Sequence, residues 1–151
     1  MFERFAGEAR QVALKAHSVA AGLGSSSVEA EHLLVSLAGT QHPAGEALRE
    51  VGLEPEALHD AIQRDFERVL AQVGIDAGGL EVSANCRRTK LRWGASAKRG
   101  LERALEEAKR RGDRRIGPEH ILLGVLRAEN GTVPRILAAE GIDRDELTGR
   151  L

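Results

Sequence analysis

The chain has 151 residues (16.3 kDa) and is nearly neutral, with 22 lysines and arginines against 23 aspartates and glutamates. That length buries roughly 70% of the unfolded surface in one core, and 42% hydrophobic with 30% charged residues is the composition of a globular protein. No apolar stretch reaches the ~18 residues of a membrane span, Glu3 and Glu8 fit no signal peptide, and a single cysteine, Cys86, excludes an internal disulfide or a thiolate-cluster metal site; a cytoplasmic protein without cofactor is expected.

In chain order, residues 6–23 carry Ala9, Val12, Ala13, Ala16, Val19, Ala20 and Leu23 at spacings of three and four, which predicts a helix. Gly22 and Gly24 end it. A second helix follows the polar Ser25–Ser27 and holds Leu33, Leu34 and Leu37 inward until Gly39–Pro43 breaks it. Residues 44–51 make a short third helix closed by Gly52. Pro55 suits the first turn of a fourth, expected to bury Leu58, Ile62, Phe66, Val69 and Val73 and to expose Glu56, Asp60, Arg64 and Arg68.

Residues 74–92, with Gly74, Gly78 and Gly79 followed by basic residues, read as a linker or surface loop between repeat one (1–73) and repeat two (93–151). Ala97, Leu101, Ala104, Leu105 and Ala108 then define a helical face that ends near Gly112. Pro118 starts another helix, Thr132 and Pro134 open a short one, and Asp143 with Glu146 has the offset of a capping box at the start of the last. No segment alternates as a strand does, so the expected fold is all-α: a duplicated four-helix repeat, eight helices in a pseudo-two-fold arrangement within one domain.

The duplication is visible in the letters. Glu31-His32-Leu33-Leu34 returns 88 positions later as Glu119-His120-Ile121-Leu122, with Gly24 matching Gly112 and Val28 matching Ile116. After one lost residue, Leu48, Gly52 and Leu53 match Leu137, Gly141 and Ile142 at a separation of 89. Self-similarity of this length marks a repeated supersecondary unit.

Charge is divided unevenly. Residues 1–78 hold 6 basic against 12 acidic side chains, and residues 79–151 hold 16 against 11. The basic groups of the second half, including Arg87, Arg88, Lys90, Arg92, Lys98, Arg99 and the run around Lys109–Arg115, admit a nucleic-acid regulator as the alternative function. Trp93 is the only aromatic among them, and no nucleic-acid motif accompanies them, so a solvated or protein-docking face is the preferred reading. His32 and His120 lack metal-ligand spacing and are read as packed at helix junctions with backbone hydrogen bonds. No Gly-rich loop ending in Gly-Lys-Ser/Thr is present to cradle a triphosphate, and no nucleophile sits in a recognisable motif, so no enzyme is expected.

The opening Met1-Phe2-Glu3-Arg4-Phe5 and the doubled Glu-His-Leu-Leu and Glu-His-Ile-Leu-Leu-Gly segments resemble the duplicated N-terminal domain of the Clp ATPases, ClpC above all, over nearly the whole chain. The resemblance implies a non-enzymatic protein- or peptide-binding module of Clp-dependent proteolysis. Such a module would be a monomer that recognises substrates, adaptors or a ClpC-directed ligand, as adaptor or decoy. The chain is expected to be free-standing, without ATPase modules, or else the N-terminal piece of a full ATPase. By the same resemblance, Glu31 and Glu119 mark pockets for phosphorylated arginine, with Ala30 and Pro118 standing where the family has threonine. Phe2, Arg10, Ala13, Leu14 and His17 with Trp93, Lys98 and Glu102 mark a groove for partner proteins or cyclic peptides.

Overall fold

The computed structural model describes residues 2–76 and 91–151. Cys86, Arg87, Arg88, Lys90 and most of the expected 74–92 linker lie outside the described residues. Eight helices occur among those described: α1 (Gly7–Gly22), α2 (Ala30–Ala38), α3 (Pro43–Glu50), α4 (Pro55–Gln72), α5 (Ala95–Arg111), α6 (Pro118–Leu126), α7 (Thr132–Ala139) and α8 (Arg144–Gly149). Two short strands, β1 (Ser27–Val28) and β2 (Arg92–Trp93), pair in parallel. The all-α expectation holds, and the strands are too short for any alternation to register in the sequence.

The starts and stops follow local chemistry. Pro43, Pro55 and Pro118 occupy the first turn of α3, α4 and α6, where a missing N–H costs nothing. Gly24 and Gly112, the matched pair, lie at φ 69° and 77° just after α1 and α5, in the left-handed region that closes a helix and that other residues resist. Asp143 accepts hydrogen bonds from the N–H groups of Asp145 and Glu146 at 2.8 and 3.3 Å, so it caps α8 alone, without the reciprocal arm of a capping box.

The two halves are joined crosswise. Val28 pairs with Trp93, and Phe5 bridges Ile116; adding 88 to Phe5 and Val28 gives Trp93 and Ile116, so the same contact is made twice with the halves exchanged. The hydrogen bonds obey the same rule, with Gly94 N–H donating to Val28 O at 2.8 Å and Ala6 N–H donating to Ile116 O at 2.9 Å. This is the pseudo-two-fold relation expected from the repeat.

At the centre lie α2 and α6, packed on each other and on helices of both halves. Their sequences are apolar all round, as a helix enclosed on every side must be. Every residue of α2 is buried except Glu31, and every residue of α6 except Glu119.

One expectation is corrected. Leu58 of α4 is buried, but Phe66, Val69 and Val73 are 44%, 39% and 70% exposed. Leu58 and Ala61 of α4 lie on the core, and the next buried position of the helix is Asp65. Asp65 is engaged by Arg135 of α7 in a two-pronged ion pair, Nε to Oδ1 at 3.0 Å and Nη2 to Oδ2 at 2.9 Å, which draws this stretch of α4 to α7. Arg135→Ala leaves a buried carboxylate with only Arg68 at 3.7 Å and is expected to cost about 2 kcal/mol. Asp65→Ala leaves a guanidinium that is 46% exposed and free to hydrate, so it costs less. Urea denaturation of both variants checks the order; equal losses would show that the buried acid does not dominate the pair.

Candidate functional site: two glutamates on the central helices

Glu31 and Glu119 stand in the first turns of α2 and α6, where the helix dipole favours an anion. The histidine after each glutamate sets the turn. His32 Nδ1 accepts the Glu29 N–H at 2.8 Å, and His120 Nδ1 accepts the Gly117 N–H at 2.9 Å. Each histidine thus satisfies an N-terminal backbone donor from within its own helix, the role usually taken by Glu or Gln. His120 Nε2 also lies 2.9 Å from Asp113 Oδ2. Among the described residues no group of three or more metal-binding side chains exists.

Glu31 faces a cavity of about 280 Å³ whose lining includes Leu23, Ile62, Phe66, Thr132 and Arg135. Burial raises its pKa above the usual carboxylate value; its own backbone N–H and the charge of Arg135 oppose that rise, while Glu29 and Asp65 add to it. The Arg135 guanidinium is committed to Asp65, so Glu31 keeps an under-compensated carboxylate. Glu119 meets the other half of the chain in the equivalent way. Its Oε2 lies 3.2 Å from Nε2 of His42, the residue that caps α3 through an Nδ1 that accepts the Ala44 N–H at 3.1 Å. The His42 contact does not have hydrogen-bond geometry, and Oε2 remains buried without a hydrogen-bond partner. A cleft of about 450 Å³ beside it is lined by Thr40, His42, Pro43 and Pro118. Each signature glutamate therefore looks across the pseudo-two-fold axis at the start of a short helix of the opposite half, α7 for Glu31 and α3 for Glu119.

The residues before the glutamates are both buried. Ala30 donates its N–H to Ser96 Oγ at 2.9 Å, so that amide is already in use. A third acid, Glu29, lies outside the expected site residues. It crosses to the second half, where Ser96 donates to it through both N–H and Oγ and Ser27 Oγ donates at 2.7 Å. Burial alone would raise its pKa, but these hydrogen bonds outweigh burial and bring it below the usual value. Gly94 makes the arrangement possible, because a Cβ there would fall 1.6 Å from Glu29 Oε1. The signal was legible as an acid two residues after Ser27, but its partner lies 67 positions away.

The groove residues fall into three groups. Phe2, His17 and Trp93 come together as a ring cluster, with centroids 5.6 Å apart for Phe2–Trp93 and 4.8 Å for His17–Trp93, and Phe5 completes it from within. Arg10 Nε donates to Phe2 O at 3.3 Å, and Leu14, on the same face of α1 as Arg10 and His17, is 69% exposed. Lys98 and Glu102 line a separate cavity with Glu3, Arg4 and Phe5. Ala13 is buried and offers no surface.

The doubled, cross-braced all-α unit belongs to the Clp repeat family: the Clp repeat (R) N-terminal domain matches residues 4–140. Among curated relatives it is 34% identical over 148 residues to the chloroplastic chaperone protein ClpC1 of Oryza sativa subsp. japonica, and 32% identical over 143 residues to the negative regulator of genetic competence ClpC/MecB of Bacillus subtilis. These alignments cover 97% and 94% of this chain but only 15% and 16% of the relatives. Among solved structures, the N-terminal domain of ClpD from Arabidopsis thaliana superposes with a TM-score of 0.73 at 25% identity, covering 99% of this chain and 96% of that one. The Hsp104 N-terminal domain of Candida albicans shares the fold at 18% identity, with a TM-score of 0.71 over 98% and 89% of the two chains. No helix among the described residues is long and apolar enough to cross a membrane.

Proposed function

We propose that this chain is a non-catalytic recognition module of the Clp proteolysis system, two repeats (1–73 and 93–151) forming one unit that binds substrate or adaptor proteins. The observation that carries the reading is the isolation of Glu31 and Glu119. Each is the only residue of an otherwise buried central helix left open; Glu119 Oε2 is buried without a hydrogen-bond partner, and burial raises the pKa of Glu31. A guanidinium supplies paired donors to a carboxylate, so an arginine side chain of a bound protein, phosphorylated or not, is the complementary group. For a phosphoryl group the chain offers less: the Ala30 amide is bonded to Ser96, and Pro118 has none. The ring cluster of Phe2, His17 and Trp93 supplies a second contact area of large, rigid side chains suited to partner proteins or cyclic peptides.

Isothermal titration with free phosphoarginine tests the glutamates. Heat is expected for the wild type, with the stronger loss in Glu31→Ala, because Pro118 leaves the Glu119 side without a backbone N–H at the preceding position. A wild type that gives no heat with either phosphoarginine or arginine amide would remove this reading.

A further inference from the structure

Each half has a cleft at the same place, between the start of its long first helix and the turn after its central helix. In the first half it is lined by Glu8, Gln11, Lys15 and Gly39. Adding 88 to each gives Ser96, Arg99, Arg103 and Arg127, and all four line the counterpart. The acid has gone and three positions have become arginine. From α8, Arg144 joins them, and the volume is about 810 Å³ against 450 Å³ in the first half. Arg99 and Arg103, one helical turn apart, make no hydrogen bond or ion pair among the described residues. Arg127 is held only by a 3.4 Å contact to Glu106, and Arg144 donates to Ala128 O at 3.0 Å. Four guanidiniums line this cleft against two carboxylates, Glu129 and Asp145, which leaves it net positive, and their planar forks match further carboxylates.

We infer that this cleft docks an acidic segment of a partner protein. No aromatic side chain lines it, so nucleic-acid bases find no stacking platform. Glu129 and Asp145 also line it; they oppose a backbone charged at every phosphate, whereas a peptide can set its carboxylates on the arginines and its amides opposite these acids. Asn130 and Thr148 supply neutral partners for main-chain groups. The surface extends the protein-binding reading to a place that neither Glu31 nor Glu119 lines, so either proposal can fail alone.

The probe is a fluorescein-labelled oligo-glutamate peptide titrated with the 151-residue chain and followed by anisotropy. Arg99→Gln/Arg103→Gln is expected to weaken binding roughly tenfold, and Arg99→Lys/Arg103→Lys, which keeps the charge and loses the forks, to give an intermediate loss. Arg114→Gln/Arg115→Gln removes the same charge from outside the cleft and is expected to weaken binding less than about twofold. Glu31→Ala and Glu119→Ala bind as the wild type does. Equal weakening by the two glutamine pairs, with melting temperatures unchanged, would show a diffuse field and overturn the assignment. So would an unbound peptide, or an oligonucleotide that binds more tightly with the same dependence on Arg99 and Arg103.

Discussion

Gly124→Ala is expected to destabilise the chain by about 3 kcal/mol or more, although it adds a single methyl group. A Cβ at this position of α6 would lie 2.2 Å from the carbonyl oxygen of Gly100 and 2.7 Å from the backbone nitrogen of Ala104, both in α5. Neither is the end of a flexible side chain that could turn aside. The methyl can be housed only by separating α5 from α6, and α6 is packed on helices of both halves. Gly100→Ala is the control. Its Cβ would meet Val125 Cγ2 at 3.3 Å, a contact that a small side-chain movement relieves, while alanine gains about 1 kcal/mol over glycine in a helix interior. Gly100→Ala should therefore stay within about 1 kcal/mol of the wild type. Thermal and urea unfolding of the two variants measure the contrast, and similar melting points would mean that α5 and α6 are not held at this separation.

A comparable loss is expected from acid alone. His32 is buried, and burial lowers its pKa from 6.5 to about 4, helped by His59 and partly opposed by the carboxylate of Glu29. Above pH 6.5 the ring is neutral in both folded and unfolded chains, and its contribution is fully present. As pH falls from 6.5 toward 4, the unfolded chain takes up a proton that the folded one refuses, so stability is lost through that window, about 3 kcal/mol in all. Geometry agrees with the sign, because Nδ1 must stay unprotonated to accept the Glu29 N–H. Glutamine at the same helix position supplies an acceptor without titrating. His32→Gln should therefore match the wild type near pH 7.5 and lose less stability on acidification to pH 4.5, as read from urea midpoints across the range. Parallel curves for the two proteins would place the acid sensitivity elsewhere.

The fold was legible because its main determinants are local or periodic. The 88-residue spacing, the glycines after α1 and α5, and the first-turn prolines each act within a few residues of where they stand. The outer half of α4 was misread for a related reason. Phe66, Val69 and Val73 keep helical spacing, but spacing shows only that they share a face, and the face turns outward where Asp65 meets Arg135, 70 positions away. The glutamates were legible as a repeated motif. What surrounds them was not, since Arg135, His42 and Ser96 reach the motif from other elements, and nothing in the neighbouring letters foretells them.

The crosswise pairing of the opening segments leaves neither half complete by itself. Phe5 completes the edge at Ile116 and Trp93 completes the edge at Val28, so each half lends its first residues to the other. Separating the halves would therefore leave both Val28 and Ile116 without their pairing partners. That reciprocity does not extend to the clefts, where Arg99, Arg103 and Arg127 of one half stand against Gln11, Lys15 and Gly39 of the other.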